Sequence, residues 1–259
     1  MLFPIADEND DRVSTPWVNY AIILINLFVF VFLQGLGAND RFTYAFSTVP
    51  REIVTGRDIV TPDRIVIEPI TGQPVPIPGL QPTPVPVFLT LITSMFMHGG
   101  LAHIFGNMLF LWIFGDNIED RLGHLRYVIF YLVCGVLAGL AHVFSTVIFA
   151  GDSQASLLVP SLGASGAISG VLGAYILLFP TKRVTVLLSW FITQVPAFVA
   201  IGLWFVFQLI SGLGMLGSGA QQGGVAYAAH IGGFIAGLAL IKIFEIGRPR
   251  SEYYAPRGY

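Results

Sequence analysis

The sequence has few charged residues. Of its 259 residues only 11% are Asp, Glu, Lys or Arg, whereas an ordinary soluble domain has about 25%. So few charges cannot cover the surface of a soluble protein of this length. In contrast, 54% of the residues are hydrophobic and the mean hydropathy is +0.75. This composition excludes a soluble enzyme and a disordered chain, and it predicts an all-α membrane protein of one domain that crosses the bilayer several times.

Other groups are scarce or absent, and each absence excludes a class of protein. The single cysteine, Cys134, lies in an apolar run, so neither a disulfide framework nor a zinc cluster is predicted. The net charge is −2 and no long Lys/Arg run occurs, so we expect no nucleic-acid partner. No Asp or Glu lies inside the hydrophobic runs, which disfavours a carboxylate-based transporter and excludes an aspartyl-type intramembrane protease. The zinc-protease motif HExxH is also absent, and we expect no metal and no cofactor.

Six hydrophobic runs approach the length of about 20 apolar residues that a membrane-spanning helix needs. They are residues 17–36, 88–114, 127–151, a part of 153–180, a run that begins at Val184, and 225–241. The glycine-rich stretch 211–224 predicts a loop between the fifth and sixth spans. If both termini are cytoplasmic, nine of the 13 Lys and Arg residues fall on the inner side, in agreement with the positive-inside rule. We therefore expect six transmembrane helices with both ends of the chain in the cytoplasm.

These spans divide the chain into three segments. Residues 1–16 are expected to form a cytoplasmic N-terminal segment, 17–245 the membrane domain, and 246–259 a cytoplasmic tail. The first segment lacks the basic start and the cleavage site of a signal peptide, so we expect the first span to be retained. Tails this short favour a bacterial plasma membrane.

The long outer loop, about residues 37–87, is the one part with soluble character. Its prolines between positions 74 and 86 lack an N–H and fix φ, so this stretch is expected to be extended and not helical. Two interpretations remain open for it, a stiff surface connector and a docking strip for a partner or a substrate.

The hydrophobic runs contain a small set of polar side chains that could carry out chemistry. They are His98, His103, Asn107, His142, Ser165 and His230. His103 and Asn107 are four residues apart, so on a helix both side chains project from one face.

Glycines with GxxxG spacing indicate which helices approach each other. The two pairs are Gly166 with Gly170 in the fourth run and Gly233 with Gly237 in the sixth. Small residues at this spacing let two membrane helices pack backbone to backbone. If the fourth and sixth helices pack through these faces, Ser165 and His230 come within hydrogen-bond reach.

A serine beside a histidine can act as a nucleophile, because the imidazole accepts its proton. Attack on a peptide carbonyl also needs donors for the oxyanion. The candidates are the backbone N–H of Ser165 at a helix N-terminus, the His103 ring and the Asn107 amide. Each residue also has a structural interpretation, since small residues pack helices, a lone histidine bonds to the backbone and an asparagine joins helices. The residues alone leave a Ser–His enzyme and a packing scaffold open.

Together these motifs resemble those of the rhomboid intramembrane serine proteases, over about residues 16–242. The motifs are HxxxxHxxxN (His98, His103, Asn107), GxSGxxxGxxG (Gly163, Ser165, Gly166, Gly170, Gly173), AHxxGxxxG (Ala229, His230, Gly233, Gly237) and ExRxG (Glu119, Arg121, Gly123). The resemblance implies a rhomboid-like bundle of six transmembrane helices around a hydrated cavity that opens to the outer face. The glycines expected to pack helices are Gly163, Gly166, Gly170, Gly233 and Gly237.

The resemblance also implies roles for the polar residues. Ser165 would be the nucleophile, and His230 the general base and then the general acid. His103, Asn107 and the Ser165 backbone N–H would form the oxyanion hole, and His98 would lie near the site. The substrates would be transmembrane segments of other proteins in the lipid bilayer, cut near their outer end through an acyl-enzyme. A small residue would precede the scissile bond.

Two features depart from the family pattern. Some members carry an aromatic residue one turn after the nucleophile to stack on the histidine, but here that residue is Ser169, so His230 must be oriented in another way. The outer loop lacks a Trp-Arg pair that some members have, and it is longer and rich in proline.

Two other functions are weighed against the protease. A non-catalytic relative that binds membrane helices is the alternative, although such relatives typically lose the serine or the histidine. A channel or transporter is disfavoured, because no obvious repeat relates the two halves of the chain. The oligomeric state stays open.

Overall fold

Helices make up most of the chain. The structure is a computed structural model, and it describes residues 2–67, 72–149, 154–218 and 227–247. In these residues the α-helices are α1 (Trp17–Phe28), α2 (Asp40–Ala45), α3 (Pro50–Thr55), α4 (Thr90–Thr93), α5 (Leu101–Leu122), α6 (His124–Phe149), α7 (Ser165–Leu178), α8 (Ala197–Ser218) and α9 (Tyr227–Phe244). A π-helical turn, Val29–Leu33, extends α1. Short 3-10 turns lie at Gly35–Gly37, Val87–Leu89, Ser94–Phe96 and Ser156–Leu158.

Within the described ranges, three helices are long and apolar enough to cross a membrane, namely α5, α6 and α9. They lie at the second, third and sixth predicted spans. Shorter apolar helical segments cover 17–33, 87–96, 165–178 and 197–212. The first and fourth predicted spans therefore coincide with helical segments that are shorter than a usual transmembrane helix, while the fifth overlaps α8, which has 22 residues in all. The length of the helices does not establish the count of six.

The prediction of an all-α protein is confirmed in part, because most of the described residues are helical but two small sheets accompany the helices. The strands are β1 (Leu2–Asp7), β2 (Arg64–Ile67), β3 (Pro74–Ile77), β4 (Arg183–Leu188) and β5 (Phe191–Pro196). An antiparallel sheet has the order β1-β4-β5, in which Leu2 is opposite Leu188 and Arg183 is opposite Pro196. The N-terminal segment is thus a strand of a sheet whose other strands connect α7 to α8.

The predicted start of the fifth span is wrong. It was expected to begin at Val184, but this valine lies in the β4–β5 hairpin and α8 starts at Ala197. Val184 and Val186 are buried while Arg183 and Leu187 are exposed, which is the alternation of a strand. A short apolar run rich in β-branched residues does not distinguish strand from helix by hydropathy alone.

The prediction of a loop at 211–224 is wrong for residues 211–218, which belong to α8. Helix α8 continues to Ser218, since glycine is tolerated in membrane helices better than in soluble ones. Residues 219–224 lie outside the described residues, as do residues 248–259 of the predicted tail.

The second predicted span, 88–114, is not one helix. The short helical segments between Val87 and Phe96 end at Met97, whose backbone is extended. After Gly99 and Gly100, α5 runs on to Leu122 and includes four charged residues in its last two turns. Residues 88–114 contain no charged residue, so hydropathy does not indicate the break in the helix. Gly99 and Gly100 favour a break at this place.

Part of the outer loop forms a hairpin. Strands β2 and β3 pair antiparallel, with Arg64 opposite Ile77 and Ile67 opposite Pro74. The proline-rich segment Pro74–Ile77 is extended, as expected from its sequence, and it is paired with a neighbouring strand.

Helix α7 lies in the centre of the bundle and contacts α9 backbone to backbone. A Cβ atom added at Gly237 would lie 2.0 Å from the carbonyl oxygen of Gly170, and one at Gly233 would lie 2.1 Å from that of Gly166. Any larger side chain at these positions would push the two helices apart. The residues of α7 from Gly166 to Tyr175 are all buried.

Charged side chains gather where α5 ends. Three pairs tie the segments before α1 and after α9 to the last turns of α5: Arg12 with Asp116, Ser14 with Asp120, and Arg121 with Glu245. We refer to these six residues, together with Asp7, Asn117 and Lys182, as the charged end of the bundle. Both ends of the described chain meet at this end.

Glu119 connects α5 to the start of α1. Its carboxylate oxygens accept the backbone N–H groups of Val18 and Asn19, at 2.9 and 2.6 Å. These N–H groups belong to the first turn of α1, where no preceding carbonyl is available to them. Gly123 then allows the turn between α5 and α6 with φ +77. The ExRxG motif therefore has a structural use at the charged end.

Candidate active site

Ser165 is the first residue of α7. The segment before it turns at Gly163, whose φ of +122 lies in a region that residues with a Cβ rarely adopt. The backbone N–H groups of this first turn have no carbonyl partner within the helix, so they point toward the loop side. The start of α7 therefore brings the Ser165 hydroxyl close to backbone N–H groups that have no partner within the helix. This end of α7 lies opposite to the charged end.

His230 faces Ser165 from the first turn of α9. Its Nε2 lies 2.7 Å from Ser165 Oγ. The two residues are 65 positions apart in the chain, and the close packing of glycines between α7 and α9 brings them together. Both side chains are half-buried. The arrangement lets the hydroxyl donate its hydrogen to the imidazole.

Gln208 holds the other nitrogen of the ring. Its Oε1 lies 2.8 Å from His230 Nδ1, and the side chain is buried on α8 with 7% exposure. The sequence analysis missed this residue. A signal was available, since Gln208 is the one amide side chain in the apolar residues 197–218, and polar side chains in membrane helices usually bond to another helix.

Ser169 does not contact the histidine ring by a hydrogen bond. Its Oγ donates to the backbone oxygen of Ser165 at 2.6 Å, one turn back along α7. Two aromatic rings lie near His230: Trp204 at 6.0 Å and Tyr227 at 6.4 Å between ring centroids. The ring of Trp204 comes from α8, so this helix supplies both a ring and a hydrogen-bond partner.

His103 lies beside the Ser165 hydroxyl. Its Nδ1 accepts the backbone N–H of Gly99 at 3.3 Å, so its hydrogen belongs on Nε2. A Cβ added at Gly163 would lie 2.8 Å from His103 Nε2 and 3.7 Å from Ser165 Oγ. The space that Gly163 leaves open therefore borders both the hydroxyl and a ring N–H. Gly163, which we expected to pack helices, lies in the segment before α7 instead.

Asn107 is buried one turn after His103 on α5. Its Nδ2 has no hydrogen-bond partner. An unpaired buried donor is unfavourable unless something else satisfies it, and here it is available to a bound group.

His98 lies beside His103, outside any helix. Its ring is buried, and its centroid is 5.1 Å from that of His103. Gln34 fixes its backbone from both sides: Oε1 accepts the His98 N–H, and Nε2 donates to the His98 carbonyl, each at 2.9 Å. His142 lies on α6, where its carbonyl accepts the hydroxyls of Ser145 and Thr146.

A cavity borders Ser165. Its wall is made largely of residues with small side chains or none, namely Gly135, Ala138, Gly139, Gly166, Ala167 and Ala229. Among the residues that the structure describes, no three His, Cys, Asp or Glu side chains are grouped so as to hold a metal ion.

Comparison with known proteins points to one family. The profile of the Rhomboid domain matches residues 86–245. Rhomboid protein 1, mitochondrial, of Saccharomyces cerevisiae is 31% identical over 150 residues, which cover 58% of this chain and 40% of that protein. Rhomboid protease GluP of Bacillus subtilis is 32% identical over 168 residues, 64% of this chain and 28% of that protein. RHOMBOID-like protein 5 of Arabidopsis thaliana is 30% identical over 173 residues, 65% of this chain and 49% of that protein. The chain spans less than half the length of each of these relatives.

Proposed function

Because the chain belongs to the rhomboid family of membrane proteins, we propose that it is an intramembrane serine endopeptidase that cleaves transmembrane segments of other proteins. The observation that carries this proposal is the 2.7 Å distance between Ser165 Oγ and His230 Nε2. A serine hydroxyl is a weak nucleophile until a neighbouring base accepts its proton, and this distance is short enough for that transfer.

The reaction begins when His230 Nε2 takes the proton of Ser165 Oγ. The oxygen then attacks the carbonyl carbon of the scissile peptide bond, and the carbonyl oxygen becomes an oxyanion. The donors proposed for it are His103 Nε2–H, Asn107 Nδ2 and the Ser165 backbone N–H. Hydrogen-bond donors placed at the developing charge lower the barrier.

The intermediate collapses when His230 returns the proton to the leaving amine. The C–N bond breaks and an ester forms between the substrate acyl group and Ser165. Water enters, His230 takes one of its protons, and the hydroxide attacks the ester. The acid product leaves, and Ser165 regains its hydrogen from His230.

The cavity beside Ser165 supports a preference for a small residue before the scissile bond. Glycine and alanine residues on α6, α7 and α9 form much of its wall, and the larger side chains of Leu91, Met95 and Leu162 complete it. The substrate segment must also become extended at the scissile bond, because the neighbouring residues of a helix shield its peptide bonds from attack by the serine. A transmembrane substrate fits a site that lies among apolar helices.

The placement in the membrane is part of the same proposal. Residues 1–16 and 246–259 would lie on the cytoplasmic side of the membrane domain 17–245, and the Ser165 end would open to the outer face. The meeting of both described chain ends at the charged end supports a common side for them. The membrane that we propose is the bacterial plasma membrane; one relative is from Bacillus subtilis and another is named as mitochondrial.

The test is cleavage of a transmembrane substrate by purified protein in liposomes. The substrate carries Ala or Trp near its outer end, and we expect cleavage of the Ala form at a much higher rate. Ser165→Ala should abolish cleavage, while Ser145→Ala on α6 is the matched control and should cleave as the wild type does. Cleavage by Ser165→Ala at the wild-type rate would show another nucleophile. No cleavage by folded wild type of any such substrate would favour a non-catalytic relative that binds membrane helices.

A further inference from the structure

His230 can serve as a base toward Ser165 only in one tautomer. Its Nε2 must be without hydrogen in order to accept the serine proton, so the ring hydrogen must be on Nδ1. A buried N–H of this kind needs an acceptor, because an unpaired buried donor is costly. In Ser–His–Asp enzymes a carboxylate accepts this hydrogen and keeps the ring in position.

No carboxylate among the described residues bonds to the His230 ring. The partner of Nδ1 is the amide oxygen of Gln208, at 2.8 Å. Ser169 bonds within its own helix, and Trp204 and Tyr227 approach the His230 ring with their aromatic rings.

We propose that Gln208 is a positioning residue, which keeps the hydrogen of His230 on Nδ1 and thereby leaves Nε2 free to accept the proton of Ser165. This inference rests on the proposed function. Three helices then assemble the proton path: α7 supplies Ser165, α9 supplies His230, and α8 supplies the acceptor. The amide is neutral, so it fixes the tautomer without placing a buried charge among apolar helices, where a charge is costly.

The position of α8 governs whether the acceptor is in reach. Gln208 and Trp204 are four residues apart and so project from one face of α8, toward His230. The neighbouring Phe205 stacks on Phe234 of α9, with ring centroids 4.2 Å apart. A shift of α8 away from α9 would separate Oε1 from Nδ1 and release the ring. Orientation of the base is therefore coupled to the packing of α8 on α9.

The test compares Gln208→Leu with Gln208→Glu. Leucine removes the acceptor while the side chain stays large, whereas glutamate keeps an acceptor at the same place. The readouts are the kcat and KM for a transmembrane substrate and the rate at which a fluorophosphonate labels Ser165. We expect Gln208→Leu to lower kcat and the labelling rate about 10- to 150-fold with little change in KM, as for the loss of a hydrogen bond to a group that becomes charged. Gln208→Glu should retain most of both rates.

A second readout follows the tautomer directly. In wild-type protein labelled with 15N-histidine, the His230 signals, identified by their loss in His230→Ala, should show a protonated Nδ1 and an unprotonated Nε2. In Gln208→Leu they should show a mixture of tautomers, which a merely structural role would not produce. Gln194→Leu, at an exposed glutamine of β5, is the matched control and should change nothing.

The outcomes separate this inference from the proposed function. Equal labelling of wild type and Ser165→Ala would overturn the proposed function itself. Labelling of Ser165 in wild type together with an unchanged rate in Gln208→Leu would overturn only the role of Gln208. If the leucine variant does not fold, the glutamate variant decides: retained kcat with the Nδ1 tautomer supports the role, and a loss of kcat as large as 10-fold contradicts it.

Discussion

The two ends of the helix bundle carry different kinds of side chain. At the end that holds Ser165 and His230, residues 101–115, 165–178 and 227–241 contain no Asp, Glu, Lys or Arg. At the charged end, α5 alone has three acidic residues and an arginine in its last two turns. These residues pair with Arg12, Ser14 and Glu245, or accept the N–H groups that start α1.

This difference separates two tasks. At the charged end, ion pairs and hydrogen bonds join segments that are far apart in the sequence and hold the bundle together. At the other end, glycines bring α7 and α9 into contact. The polar side chains there are neutral and can form hydrogen bonds with a bound group. The proposed chemistry there uses histidine, asparagine, serine and glutamine, because an unpaired charge is costly at membrane depth. Substitutions at one end should therefore change turnover, and substitutions at the other should change stability.

Asn107→Ala tests the uncharged end. The Asn107 amide is buried with an unpartnered Nδ2, so its removal should cost little stability. Loss of one oxyanion donor typically lowers kcat about 100- to 1,000-fold, and we expect an effect of that size on cleavage of a transmembrane substrate. Thermal unfolding in detergent checks the stability. A variant that fails to fold would show instead that Asn107 joins helices.

Asn117→Ala is the matched substitution at the charged end of the same helix. Asn117 Nδ2 donates to Asp7 and Asn9 at 2.8 Å each, and its Oδ1 accepts Lys182 Nζ at 2.5 Å. Because alanine leaves these partners unpaired, we expect a loss of about 3 kcal/mol in the free energy of unfolding. Turnover per folded molecule, measured at low temperature, should stay within a factor of two or so of the wild type. A large fall in turnover at unchanged stability would contradict the division between the ends.

Asp7→Asn tests the charged end through pH. Burial raises the pKa of Asp7 from 3.8 to about 7, and the hydrogen bond from Tyr175 opposes this rise. Between these values the folded state holds a proton that the unfolded chain has lost, so stability should fall as the pH rises from about 4 to 7. Since Asp7 keeps some contact with water, we expect a fall of roughly 2 kcal/mol.

The asparagine variant lacks this titration. Plotted against pH, the midpoint of thermal unfolding of wild type should drop relative to that of Asp7→Asn between pH 4 and 7, and the difference should be constant above. Parallel curves for the two proteins would show that Asp7 is not buried as described. Asp116 and Lys182 also lie near Asp7 and act on its pKa in opposite directions, so they are left unchanged in this comparison.

Ser169→Ala should have the smallest effect. Its hydroxyl bonds to the backbone of its own helix, so its loss should cost less than about 1 kcal/mol of stability. Turnover should be nearly unchanged, because the orientation of His230 depends on another helix. A fall in turnover as large as that of Gln208→Leu would assign orientation of the base to α7 and not to α8.

Much of the site could be predicted from the sequence. The spacing of Gly166 and Gly170 against Gly233 and Gly237 indicated which helices approach, and small residues at that spacing have few other uses in apolar helices. Gln208 could not be predicted as a partner of His230, since α8 carries no motif and the contact depends on how α8 packs in three dimensions. The roles of these residues stay predictions until they are tested.

The fold was predictable where apolar runs and helices coincide. It was not predictable at 88–100, where apolar residues continue through a break in the helix, or at 184–196, where they form a hairpin. In both segments hydropathy reports burial or contact with lipid and carries no information on backbone conformation. The last turns of α5 are stabilised by partners from other segments of the chain. A search for charge-free runs does not detect such partners.

The labelling of Ser165 by a fluorophosphonate tests the central claim most directly, because the probe reports an activated serine and needs no substrate. The labelled peptide is identified by mass spectrometry in wild type and in His230→Ala, with thermal unfolding showing that the variant is folded. We expect the label on Ser165 in the wild type and a labelling rate at least about 100-fold lower in His230→Ala. A label on another residue, or an undiminished rate in folded His230→Ala, would contradict the Ser165–His230 dyad.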